Sequence, residues 1–125
     1  MAKIPIIETN VPDPAAMKPQ NNDELIERGW LYYSHKNYVK AEIDLLKALD
    51  ETPDNPDILY ALGLNYKADG NIKKAVDSFN KATEFLDKLE DHIRARMLLR
   101  LIHGQINQIK DGDWNLEKEI WHYVR

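Results

Sequence analysis

From Asn22 onward the apolar residues recur at spacings of three and four, the period of a helix with one buried face. Leu25, Gly29 and Tyr32 share the first such face, and Asn21 or Asn22 can cap its start. A second run opens at Tyr38 after Lys36-Asn37, places Ala41, Leu45 and Ala48 together, and closes before Pro53. Asn55-Pro56 then reads as a cap followed by a first-turn proline, and Leu59, Leu62, Gly63 and Tyr66 form the next face. Asp69-Gly70-Asn71 breaks the chain, and a fourth helix from Ile72 presents Ala75, Phe79 and Ala82. The pattern predicts two helical hairpins, 22–55 and 56–88. Residues 1–21 hold four of the six prolines (Pro5, Pro12, Pro14, Pro19) and no helical period, which predicts an extended tail.

The two hairpins align at a single offset. Leu25 and Leu59, Gly29 and Gly63, Tyr32 and Tyr66, Ala41 and Ala75, Leu45 and Phe79, and Ala48 and Ala82 are each 34 positions apart. The small residues let two antiparallel helices approach closely, and the larger ones fill the space around them. In period and in its alternation of small and large residues, the segment 22–88 resembles the tetratricopeptide repeat family. That resemblance implies an all-α, right-handed solenoid. One departure is Arg28, where the second repeat has Leu62 and the family usually has a large apolar residue; it is expected to weaken the first hairpin's packing or to mark a changed surface.

Beyond residue 88 the register fades. Ala95, Leu99, Ile102, Ile106 and Ile109 keep helical spacing. Gly104, 34 after Gly70, could be the turn of a degenerate third hairpin; the stripe crosses it without a phase jump, which favours one long helix to about Lys110. Asp111-Gly112-Asp113 ends that helix, and Trp114 to Val124 reads as a short final helix with Leu116, Ile120 and Val124 inward. Two hairpins bury too little surface to stand alone, so the helices of 89–125 are expected to cap the stack, with Trp114, Trp121 and Tyr123 buried against the long helix or docking a partner.

In the family the first helix of each hairpin lines the concave side. The resemblance therefore places Ile26, Trp30 and Tyr33, then Tyr60, Leu64 and Lys67, then Arg94, Leu98 and Leu101 in a groove with an aromatic floor and a basic edge. The best-known ligands of the family are acidic peptide C-termini held by Lys, Asn and Arg side chains. Ile26 and Trp30 stand where the first helix would supply Lys and Asn, and Ala61 where the next would supply Asn, so that clamp is missing. Apolar and aromatic side chains suit an apolar or amphipathic peptide or helix instead, anchored by Trp30, Tyr33 and Tyr60. The tail offers its own candidate ligand, Ile4-Pro5-Ile6-Ile7, for this chain, a second copy or another protein.

Composition narrows the chemistry. At 43% hydrophobic and 30% charged residues the chain is ordinary for a folded domain. A net charge of −4 gives no overall footprint for nucleic acid, although Arg96, Arg100 and His103 follow one helical face that could track phosphates. There is no cysteine, hence no thiol nucleophile, disulfide or thiolate metal site. No histidine pair has the helical metal spacing. Asp111, Asp113 and Asn115 imitate the start of a calcium loop, but Leu116 and His122 replace its glycine and glutamate. No phosphate-cradling glycine run or nucleophile elbow is present. No apolar run approaches the roughly 18 residues of a membrane span, and the start lacks the form of a signal sequence, so a cytoplasmic location is expected. The sequence thus predicts a non-enzymatic adaptor or assembly factor without cofactor or metal, binding another protein or peptide in its groove. The rivals are a structural subunit of a homo-oligomer or larger complex, with tail and C-terminal helix buried, and an RNA-binding regulator acting through Arg96 and Arg100.

Overall fold

A computed structural model describes residues 13–111, and these residues are all-α: α1 Asn22–Ser34, α2 Tyr38–Glu51, α3 Pro56–Ala68, α4 Ile72–Glu84 and α5 His92–Asp111, with 3-10 turns at Pro14–Ala16 and Leu86–Lys88 and no strand. Antiparallel α1 and α2 form one hairpin and α3 and α4 a second. α2 packs on α3, and α5 stacks against α4. α5 runs through Gly104 without a break. The final helix expected from Trp114 to Val124, and the apolar tail residues Ile4 to Ile7, lie outside the described residues.

The hairpins repeat in detail. The four helices α1 to α4 each begin on an asparagine whose side chain accepts a backbone N–H of the first turn: Asn21, Asn37, Asn55 and Asn71. Such caps satisfy donors that have no partner within the helix, each contributing about 1 kcal/mol. The turns match bond for bond. Asn37 N–H donates to Tyr32 O at 2.8 Å and Asn71 N–H to Tyr66 O at 2.9 Å. Both turns need a left-handed residue, supplied by Gly70 at φ 87° and by Lys36 at φ 63°. Lysine carries a Cβ into that conformation at a cost glycine avoids. The tyrosines at the ends of α1 and α3 also repeat, with Lys40 Nζ 5.7 Å from the Tyr32 ring centre and Lys74 Nζ 5.5 Å from that of Tyr66.

Two clusters make up the core. Leu45 and Ala48 of α2 pack with Ile58, Ala61 and Leu62 of α3, while Leu59 of α3 packs with Ala75, Phe79 and Ala82 of α4 and with Leu98 and Ile102 of α5. Within each hairpin the helices meet at a glycine. A Cβ placed on Gly63 would fall 2.5 Å from Phe79 Cδ1, and one on Gly29 would fall 3.0 Å from Leu45 Cγ. Phe79 is fully buried, so it has no room to yield.

Arg28, where an apolar residue is usual, faces a polar partner. It is in a two-pronged ion pair with Asp44 of α2, Nε to Oδ2 and Nη2 to Oδ1 both at 2.8 Å. Asp44 stands 34 positions before Ser78, just as Arg28 stands 34 before Leu62, so a charged pair occupies the place of Leu62 and Ser78. The Asp44 side chain is only 3% exposed, and its hydrogen bond raises the Arg28 pKa. Arg28 Nη1 also donates to Met17 O at 3.2 Å, which fastens the segment before α1 to the hairpin.

These contacts give two expected outcomes in thermal or denaturant unfolding. Gly63→Ala should destabilise the chain by about 2–3 kcal/mol through overpacking against Phe79, and Gly29→Ala by less, because a Cβ there meets Leu45 at 3.0 Å, a milder overlap than the one with Phe79. Lys36→Gly should raise stability by up to about 1 kcal/mol by relieving the left-handed turn; a loss of stability would show that the turn carries no such cost.

Candidate functional site

The stacked hairpins place α1 beside α3, and the residues of α1 that turn away from α2 meet their counterparts there. Ile26 is half-buried against the cluster of Leu45, Ala48 and Ile58. One turn on, Trp30 is 37% exposed and meets Tyr33 edge-on, ring centres 5.7 Å apart at 86°. Tyr33 continues to Tyr38 at the start of α2, 6.1 Å away. On α3, Tyr60 packs against Phe79 at 5.7 Å, while Leu64 is half-buried beside the second cluster. Tyr33 is close enough to Tyr60 for its charge to add to the rise in the Tyr60 pKa that burial causes. Ile26, Trp30, Tyr33, Tyr60 and Leu64 therefore form a partly exposed aromatic and aliphatic face across two helices.

Both residues of the expected basic edge have partners within the chain. Lys67 Nζ donates to Gln105 Oε1 at 2.6 Å and to Gln108 Oε1, and burial lowers its pKa. Arg94 is paired with Asp57 of α3 rather than with Glu90 one turn away on the sequence. Leu98 is a correction of a different kind: at 6% exposure it sits in the core with Leu59 and Phe79, because α5 is rotated from the register of α1 and α3. Its exposed apolar side chains are Ile93, Met97 and Leu101. The partners of the basic residues were not legible as such. Gln105 and Gln108 show no signal in sequence, whereas Asp44 could have been found by asking what stands opposite Arg28 at the same offset.

Between α4 and α5 a cleft of about 730 Å³ is lined by Thr83, Leu86, Asp87, His92, Ala95, Arg96 and Leu99. It marks a looser contact than the one between α2 and α3, where Asn65 Nδ2 donates to Tyr38 O at 2.9 Å and Tyr66 Oη donates to Glu42 Oε2 at 2.7 Å. Among the described residues no group of His, Asp or Glu is placed to hold a metal ion, and no helix is long and apolar enough to cross a membrane.

Burial raises the pKa of Tyr33, Tyr60 and Tyr66; Tyr38 adds to it at Tyr33, and the hydrogen bond to Glu42 adds to it at Tyr66. A phenol whose folded pKa lies above its unfolded value of about 10 favours folding while protonated, fully so below that pH. Stability should therefore be flat in this respect up to about pH 10 and fall above it. Chemical denaturation across alkaline pH, with tyrosinate absorbance followed in parallel, should show the loss, and Tyr66→Phe should reduce its steepness.

No curated protein and no solved structure gives a significant match to the chain. Residues 56–85, which span α3 and α4, match the family model of the tetratricopeptide repeat. α1 and α2 repeat that hairpin 34 positions earlier in caps, turns and the glycine at which the helices meet, so the matched segment is one tetratricopeptide-like hairpin of two.

Proposed function

We propose that the chain is a non-enzymatic adaptor that holds an apolar or amphipathic peptide or helix on the face formed by Ile26, Trp30, Tyr33, Tyr60 and Leu64. Tetratricopeptide repeats generally mediate protein–protein interaction, and members of the family are typically adaptors without catalytic activity. The observation that carries the reading is Trp30, a large aromatic side chain 37% exposed yet held edge-on by Tyr33. A side chain already fixed in place loses little freedom on binding, and tryptophan and tyrosine dominate the energetics of interfaces. Lys67 and Arg94 contribute less than their charge implies, since both already have partners in the chain. The absence of cysteine supports a reducing, cytoplasmic setting.

A second reading is favoured by one observation. Ile93, Met97 and Leu101 form an exposed apolar stripe on α5, the outer helix of the stack, which suits a structural subunit whose end is covered in an assembly. Arg96 and Arg100 are exposed on the same helix, and phosphate binding through them would have to appear at low salt.

Trp30→Ala and Tyr60→Ala should each weaken capture of the partner at least tenfold while leaving helical circular dichroism intact, whereas Met97→Ala should not. Unchanged capture by both aromatic variants contradicts the groove. A stable assembly at dilute concentration in light scattering, lost on Met97→Asp, would favour the structural subunit instead.

A further inference from the structure

The exposed stripe of α5 has the position of a helix seat. Ile93, Met97 and Leu101 are exposed at 71%, 60% and 44%, one turn apart on a face turned away from the core residue Ile102. Ile93 and Met97 stand 34 positions after Leu59 and Gly63, as those stand after Leu25 and Gly29. Across these earlier residues α1 receives α2 and α3 receives α4. In α5 the rotation that takes Leu98 into the core turns the corresponding face outward. Three apolar side chains at successive turns form a ridge, which suits the groove of another helix. Met97 takes the glycine's place, so an occupant sits further out than α2 or α4 does, against an unbranched side chain that adapts its shape. Such a seat favours a helix that is exchanged over one that is built in.

Charge selects among occupants. Arg100 and Arg96 are exposed and flank the ridge, about 20° and 60° around the helix from Ile93 on the side away from Met97. Neither has an acidic residue three or four positions away on α5. Among the described residues the ion pairs are Arg28 with Asp44, Lys88 with Asp54 and Arg94 with Asp57, and Arg96 makes none with Asp87 across the cleft they share. α5 carries four Arg and Lys residues against one acidic one, in a chain whose net charge is −4. Packing two copies through this face would set arginine against arginine. Phosphates of RNA would use the arginines but leave the ridge in water, and an anionic membrane would meet the acidic remainder of the chain.

We propose that the outer face of α5 docks an acidic amphipathic helix of another protein, its apolar side on Ile93, Met97 and Leu101 and its carboxylates on Arg96 and Arg100. This seat is separate from the aromatic face of α1 and α3, and its occupant is independent of whatever that face holds.

Two designed helical peptides serve as probes, each with leucines along one face, flanked in one by glutamates and in the other by lysines. Both are titrated into the isotope-labelled full chain carrying Trp30→Ala, so that the aromatic face takes no part. The glutamate peptide should shift amide signals from Ile93 to Leu101, and the lysine peptide should bind at least about tenfold more weakly. Arg96→Glu together with Arg100→Glu should reverse that order. Both positions are exposed, and binding of the lysine peptide shows in itself that the variant is folded. Met97→Asp should weaken both peptides. Equal binding of the two, no shift on α5 with either, or an order that the double variant does not reverse would overturn the proposal. Shifts on α5 that grow with the concentration of the chain alone would overturn it in favour of a second copy. A stronger response on α5 to single-stranded RNA or to phosphatidylserine vesicles than to the glutamate peptide would overturn it in favour of phosphate binding.

Discussion

The architecture depends on helices that cross where one of them has no side chain. Gly63 lets Phe79 lie against the backbone of α3, and Gly29 does the same for Leu45 against α1. Such an approach brings the flanking residues Leu59, Ala75 and Ala82, and in the other hairpin Ala41 and Ala48, into a core that is nearly or wholly closed to solvent. Once each hairpin is fixed at that separation, the faces of α1 and α3 that turn away from their partners must lie side by side.

The same unit is used twice but under different conditions. Leu62 of the second hairpin has α2 to pack against, and is 2% exposed. The equivalent residue of the first hairpin has no preceding helix among the described residues. A leucine there would lack a partner, and this chain instead sets Arg28 against Asp44, with Met17 O as a third ligand to the guanidinium. A paired charge of this kind seldom adds net stability over a well-packed apolar pair, but breaking one side of it is costly. Its gain is in specificity: it accepts a chain of irregular structure, with its own backbone carbonyls to satisfy, on a surface that apolar side chains would leave unsatisfied.

Much of the fold was legible because its determinants are local. Helix period, asparagine caps, the Pro56 start and the Gly70 turn are each written in a few adjacent residues, and a 34-residue offset makes each one count twice. The site was less legible where contacts are distant in sequence. Tyr60 and Leu64 follow from the 34-residue offset to Ile26 and Trp30, together with the family resemblance. That Lys67 turns to Gln105 and Gln108, and Arg94 to Asp57, depends on how α5 is rotated, and no periodicity within α5 fixes that rotation. Leu98 was assigned to the groove by carrying the offset past the point where it holds; a shifted α5 takes it into the core with Ile102.

The central claim is that the first hairpin is the second one edited at its edge, with Arg28 and Asp44 acting as a single replacement for Leu62 and Ser78. A double-mutant cycle of Arg28→Leu and Asp44→Ser, followed by denaturant unfolding, tests it most directly. Arg28→Leu alone should be costly, about 3 kcal/mol, because it strands a buried carboxylate, and Asp44→Ser alone should cost less, since the arginine can turn toward solvent. The double variant, which restores the second hairpin's pair, should recover most of the loss. Losses that simply add would contradict the account.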